Sequence, residues 1–154
     1  MYILGLTSYA HEASCALIKD GQLKFLIEEE RLNREKHTWK YPSNAIEECL
    51  SREGIRIGDI DHITFFWVPK KEILDNISHV LKYFPASLNL LRTTSGGEEL
   101  SFLSRVRLMG TIDRRIQKQF GLPKPPKVHY VEHHICHAAS AFFVSGFDKA
   151  AILT

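Results

Sequence analysis

The sequence predicts an α/β layer fold with a mixed sheet. Apolar runs of strand character open the chain, amphipathic helical stripes fill its middle, and short strand-like runs return near the end, in the order β-β-β-α-β-α-α-β-α-β. Tyr2 to Tyr9 is mostly apolar, aromatic or β-branched; Ala13 to Ile18 and Leu23 to Ile27 repeat that character. Asp20-Gly21 separates the second run from the third, and this dipeptide suits a hairpin turn whose central residues both need positive φ. The chain is therefore expected to begin with a three-stranded antiparallel meander.

A helix over 43–53 follows, started by Pro42-Ser43-Asn44 with Glu47 three residues after Asn44 as in a capping box. Ala45, Ile46, Cys49 and Leu50 share one face, and Gly54 is a natural stop. His62 to Val68 reads as the fourth strand, ended by Pro69. Ile73, Leu74, Ile77, Val80, Leu81 and Phe84 form a helical stripe. Thr93-Thr94-Ser95-Gly96-Gly97 reads as a loop, and one further helix carries Phe102, Val106, Met109, Ile116 and Phe120. Gly121 to Pro126 is a stiff connector and Val128 to Val131 a short strand; Ala138 to Phe143 suits a helix buried on most sides, and Ala150 to Leu153 a central strand. The first three strands are expected beneath helices 43–53 and 133–145.

The 154 residues suit one domain. Hydrophobic residues make up 44% and charged residues 25%, which excludes a disordered or fibrous chain. No apolar run approaches the ~18 residues of a spanning helix, and the start lacks a basic flank and a small-residue cleavage site, so neither a membrane nor a secretory signal is expected. A formal charge of +2 is too small to point to nucleic acid. Arg105, Arg107, Arg114, Arg115 and Lys118 make the middle basic, but no aromatic residues interleave them for stacking. Cys15, Cys49 and Cys136 are odd in number and scattered, as in a reduced, cytoplasmic protein.

Three stretches could carry chemistry. In Glu132-His133-His134-Ile135-Cys136-His137 a helix would place His133 and His137 on one face, a spacing that lets two imidazoles share one divalent ion. His134 points elsewhere and reads either as a residue supporting the ligands from behind or as substrate-facing. Two ligands are fewer than the three or four of a tight site, and a polar helix start is the simpler alternative. In Gly5 to Ser14 the hydroxyls of Thr7, Ser8 and Ser14 sit at a strand-turn-strand corner that could approach a phosphate, with His11 as acid, base or charge stabiliser; an ordinary turn of small residues has the same composition. Glu28-Glu29-Glu30-Arg31, then Arg34 and Lys36, reads as a solvated strand end whose Arg34 and Lys36 could meet an anionic substrate.

Taken together, these stretches resemble the amino-terminal domain of the ATP-dependent O-carbamoyltransferases, the nodulation-factor and antibiotic-tailoring type. The residues that carry the resemblance are Ile3-Leu4-Gly5-Leu6 with His11-Glu12-Ala13-Ser14; Glu28-Glu29-Glu30-Arg31 with Arg34, Lys36-His37, Pro42 and Asn44-Ala45-Ile46; and Glu132-His133-His134 with His137-Ala138-Ala139-Ser140-Ala141-Phe142. The resemblance implies the first subdomain of an actin/hexokinase/Hsp70-like ATPase fold, with a variable helical insert at about 70–122. It also implies a reaction: a carbamoyl group passes from carbamoyl-adenylate, made from carbamoyl phosphate and ATP, to a hydroxyl of a sugar or small molecule. By position His133 and His137 would be metal ligands, with iron the expected ion, and His11 would lie near the acyl site. The family commonly has Asp where this chain has Glu12.

Residues 1–154 are accordingly expected to form a single incomplete domain, inactive alone, whose open sheet edge pairs with a second copy. Two alternatives stay open: a non-enzymatic half-domain that binds metal or a partner protein, and another ATPase of the same superfold such as a sugar kinase. The His-x-x-x-His pair speaks against the kinase, where phosphoryl transfer relies on carboxylates and magnesium.

Overall fold

The computed structural model describes residues 1–10, 12–86 and 102–153. Its elements are β1 (Tyr2–Thr7), β2 (Ser14–Lys19), β3 (Gln22–Glu28), α1 (Glu30–Asn33), α2 (Ser43–Glu53), β4 (His62–Phe65), α3 (Pro69–Lys82), α4 (Phe102–Met109), α5 (Ile112–Phe120), β5 (Val128–Tyr130) and α6 (His133–Phe142). A short 3₁₀ turn, Ile57–Asp59, precedes β4. The sheet is mixed, in the order β3-β2-β1-β4-β5. β1 pairs antiparallel with β2, and β2 with β3, whereas β1–β4 and β4–β5 are parallel. At the turn between β2 and β3 both central residues have positive φ, 50° at Asp20 and 79° at Gly21, and the Met1 ammonium pairs with Asp20 at 2.6 Å.

Alternation sorts each strand into two faces. Leu4 and Leu6, Cys15 and Leu17, and Ile63 and Phe65 turn inward and are buried. Ala45, Ile46, Cys49 and Leu50 of α2 and Ile112 and Ile116 of α5 complete that core. α2 packs across β2 and β3, and Gly54 ends it in the left-handed conformation at φ 70°. On the other face Leu23 and Leu26 are exposed.

Several expectations are corrected. Asn44 and Glu47 form no capping box: Pro42 is the cap residue and supplies no side-chain bond. The start of α2 is capped instead from outside its own helix. The Glu29 carboxylate, 2% exposed, accepts from the Ala45 N–H at 2.8 Å, the Asn44 N–H at 3.3 Å and Asn44 Nδ2 at 2.7 Å. Glu47 is drawn to Gln119 of α5 at 2.8 Å. The acidic run is thus not a solvated strand end, because its middle member is buried and the residues after it coil into α1. β4 stops at Phe65, since Phe66 and Trp67 turn toward α6, and β1 stops at Thr7.

The single helix expected over 102–120 is two, α4 and α5, broken at Gly110 and Thr111, whose N–H groups bond back to Val106 and Leu108. α6 is not buried on most sides: none of its residues is buried, and Ile135 is 56% exposed. It stands beside α3 at the ends of β4 and β5, not over the first three strands. Ala150 to Leu153, expected as a central strand, pairs with no strand among the described residues, and Leu153 is fully exposed. Thr93 to Gly97 lies outside the described residues. Among the described residues no helix is long and apolar enough to cross a membrane.

One tie between sheet and helix is pH-sensitive. Lys19 Nζ and the Tyr2 hydroxyl both donate to Glu53 Oε1, at 2.8 and 3.1 Å. The Lys19 bond, then the Tyr2 bond, hold the Glu53 carboxyl below its ordinary value of 4.5. A lowered folded-state value stabilises the fold above the unfolded value and is lost as pH falls through the lowered one. Glu53→Gln is therefore expected to be less stable than the parent at neutral pH, with the two converging below the ordinary carboxylate range. Urea unfolding at several pH values checks this, and a constant difference down to acid pH would contradict it.

Candidate functional site

The candidate residues gather at one edge of the sheet. Leu6 pairs with Phe65 and Phe65 with Tyr130, so the carboxyl ends of β1, β4 and β5 lie side by side. β2 starts and β3 ends at the same edge, where Ser14 faces Thr7 and Glu28. Open α/β sheets bind ligands at this edge, because the chain leaves each strand there in loops free to shape a cleft.

At the β1–β2 corner Thr7 Oγ1 lies 2.9 Å from Ser14 Oγ and donates to the Glu12 carbonyl at 3.2 Å. The next two residues fold inward. Ser8 is fully buried, and Tyr9 takes φ 63° and donates its N–H to the Trp39 carbonyl at 2.7 Å. The Ala13 N–H bonds the Thr38 carbonyl at 2.8 Å, so 38–39 runs against the corner. The hydroxyls of Ser8, Tyr9 and Thr38 are buried without a hydrogen-bond partner among the described residues. Burial pushes the Tyr9 phenol up to about 12, which keeps it a neutral donor, and the Arg115 guanidinium lies 5.5 Å from its ring.

Arg34 closes α1 in the left-handed conformation, φ 64°, and Lys36 is exposed beside it. Glu12 Oε1 lies 3.2 Å from His37 Nδ1, a contact that brings the 34–37 loop to the corner. The structure thus joins Thr7, Ser8 and Ser14 with the loop that carries Arg34 and Lys36. His11 lies outside the described residues.

The histidines lie two strands away, about 10 Å at ~4.8 Å per strand. The Val131 N–H bonds the Phe65 carbonyl at 2.8 Å and carries the sheet to its last rung. Glu132 is the extended cap residue of α6, and its carboxylate pairs with Lys71 of α3, which sets where α6 begins. His133 packs on Trp67 and Phe66, with ring centres 4.6 and 5.5 Å away. One helical turn on, His137 brings its Nε2 to 3.0 Å from His133 Nε2. Two metal–nitrogen bonds of about 2.0–2.1 Å can span such a gap, and imidazoles suit iron, zinc or copper, so the pair fits two ligands of a divalent ion. Among the described residues no third His, Cys, Asp or Glu joins them.

His134 and His133, with Trp67, Lys71, Glu72 and Glu132, line a cavity of about 250 Å³. The Trp67 indole N–H donates to Glu72 Oε2 at 3.0 Å, and Asn76 Nδ2 donates to Glu72 Oε1 at 3.0 Å, so this wall is fixed. Trp67 and Glu72 are the site's neighbours that sequence reasoning missed; Glu12 and His37 stand out in the sequence, but their contact with each other does not. Only Pro69, which opens α3 just after Trp67, hints that the tryptophan stands at an element boundary.

Residues 2–154 match the family described as Carbamoyltransferase N-terminus. Over 155 residues the chain is 32% identical to the uncharacterised protein sll1178 of Synechocystis sp., covering 99% of this chain and 25% of that one. Over 148 residues it is 32% identical to the nodulation protein NolNO of Sinorhizobium fredii, covering 96% of this chain and 19% of that one. The chain therefore spans a quarter or less of these curated relatives. Among solved structures, YeaZ from Pseudomonas aeruginosa aligns over 94% of this chain and 50% of its own at 16% identity, with a TM-score of 0.47, a likeness too loose to define the fold. On the family match over nearly its whole length, the chain belongs to the carbamoyltransferase N-terminus family.

Proposed function

We propose that these residues are the transfer side of an enzyme that moves a carbamoyl group onto a hydroxyl. In this reading a further part of the enzyme makes carbamoyl-adenylate from carbamoyl phosphate and ATP, and the acceptor is a sugar or other small alcohol. The observation that supports it most is the convergence of His133 and His137 on the sheet edge that also carries Thr7 and Ser14, in a chain of the carbamoyltransferase family. The same reading takes the sheet as the first subdomain of an actin/hexokinase/Hsp70-like ATPase fold, a single incomplete domain with its insert at about 70–122. The cytoplasm is its proposed location, which suits three free cysteines.

The chemistry is acyl transfer. The acceptor oxygen bonds to the carbamoyl carbon, the bond from that carbon to the adenylate phosphate oxygen breaks, and AMP leaves with the electron pair. The acceptor proton goes to a base at the edge, for which His134 and His11 are the proposed groups. Thr7 and Ser14 would meet the nucleotide phosphates with hydroxyls, and Arg34 and Lys36 would balance their charge, whereas Ser8, expected beside them, is fully buried and turned away from such a ligand. A divalent ion, iron by family resemblance, would be held by His133 and His137 and would polarise a phosphate or carbamoyl oxygen.

The test is transfer of labelled carbamoyl phosphate, with ATP, to a panel of hydroxyl acceptors. A polypeptide of the relatives' length that carries these residues is expected to label an acceptor, and the 154 residues alone are expected to label none, since one wall of a site loses the proximity that drives the reaction. Transfer by the 154 residues alone would contradict the one-wall reading. Absence of transfer to any acceptor by the longer polypeptide would contradict the function.

A further inference from the structure

A second pair of histidines meets away from this edge. In the register of β4 and β5, Thr64 lies opposite His129 and Ile63 opposite Val128. Alternation puts His62 on the same face as Thr64, so His62 and His129 are diagonal neighbours on the face turned away from the buried Ile63 and Phe65. Their rings meet edge to face with centres 5.2 Å apart, and His62 Nδ1 is 3.3 Å from His129 Nε2. Tyr130, Val131 and Glu132 separate this pair in sequence from His133.

The contact has two chemical readings, set by the tautomers. One ring can donate an N–H to the other. Alternatively both rings carry hydrogen on the far nitrogen, and two lone pairs converge. His62 is exposed. A neutral hydrogen bond in contact with water is worth little, because each ring would bond water nearly as well. A cation between the rings displaces water too, but it is held by both nitrogens at once through metal–nitrogen bonds rather than by one hydrogen bond. With nitrogen–metal bonds of about 2.0–2.1 Å, a 3.3 Å separation subtends roughly 104–111° at the metal, close to the tetrahedral angle that zinc prefers. Imidazole also selects zinc, copper or nickel over magnesium and calcium, which favour oxygen.

The geometry points to a divalent-cation site of the zinc class formed by His62 and His129, distinct from the His133–His137 pair, that clips β4 to β5 on the outer face of the sheet. Two protein ligands make it an open site, with solvent in the remaining positions, and of modest affinity. Bound metal stabilises the folded chain, because the unfolded chain does not hold the two rings together.

The test is zinc titration of the 154-residue chain by calorimetry, paired with NMR of the imidazole nitrogens. Threonine is the replacement of choice, since it favours strands and these positions face outward. His62→Thr with His129→Thr is expected to remove one zinc equivalent, or to weaken that phase by about tenfold or more, while His133→Ala with His137→Ala leaves it in place. In the parent chain zinc should shift His62 Nδ1 and His129 Nε2, a readout that needs no variant to fold, and magnesium should not. Zinc binding unchanged in the threonine variant would overturn the site. So would zinc that moves only the His133 and His137 resonances. Neither result depends on carbamoyl transfer.

Discussion

Replacing Glu29 with Ala is expected to cost about 2–4 kcal/mol of stability, a large share of what holds a domain of this size together. Three identical acids stand in a row, yet the side chain of the middle one is enclosed between β3 and α2. It accepts two backbone N–H groups and one side-chain amide from the first turn of that helix. Those N–H groups belong to the first turn and have no partner within the helix. A carboxylate there satisfies them and also faces the positive end of the helix dipole. Alanine would leave the buried Ala45 N–H unbonded and open space beside it, so the bond is lost and the desolvation penalty of the N–H is left uncompensated. Glu29→Gln keeps an acceptor of the same shape without the charge and should cost about half as much, because charge-assisted bonds are roughly twice as strong. Urea unfolding of both variants measures the difference. A loss below about 0.5 kcal/mol for Glu29→Ala, the size of an ordinary surface change, would show that the carboxylate does not hold α2.

Glu29 also marks where the sequence stops being legible. In a run of three glutamates nothing local distinguishes the one that turns inward; the contact with Asn44 and Ala45, fifteen residues or more along the chain, decides it. The Asp20-Gly21 turn and the Gly54 stop could be read because their backbone demands are local, and both sites have the positive φ those residues tolerate. The break between α4 and α5 was hidden for a different reason. Val106, Met109, Ile112 and Ile116 keep a helical spacing across it and all reach the core, so periodicity runs through a point where only Gly110 signals a stop. Ala150 to Leu153 and α6 show the limit of composition. An apolar run becomes a strand or a buried helix only when something pairs with it or covers it; among the described residues no strand pairs with Ala150 to Leu153, and α6 is covered on part of its surface only.

The site divides the same way. His133 and His137 could be paired from their spacing, because helical pitch alone puts them on one face. Their setting could not. Trp67 arrives from the link between β4 and α3 and Glu72 from α3, and the Glu12–His37 contact joins two loops whose meeting no short window reveals.

Removing the histidine pair is expected to have the largest effect on activity. His137 is exposed and its ring rests on His133, so His137→Ala should leave the fold and the His133–Trp67 packing intact. Carbamoyl transfer by a polypeptide of the relatives' length should nonetheless fall by about 100-fold or more, the scale of losing a Lewis acid worth several kcal/mol to the transition state. His133→Ala should do the same and also lose an aromatic contact worth about 0.5–1.5 kcal/mol, visible as a lower melting temperature. Equal activity in the parent and in His137→Ala would remove the pair from the chemistry.

In the proposed function this chain supplies the transfer side of the reaction and not the adenylate-forming side, and a single assay separates the two. With carbamoyl phosphate and ATP, pyrophosphate release reports adenylate formation, and label on the acceptor reports transfer. In a polypeptide of the relatives' length carrying His137→Ala, pyrophosphate release should continue at the parent rate while acceptor labelling is lost. Loss of both together, or labelling that survives, would contradict the assignment.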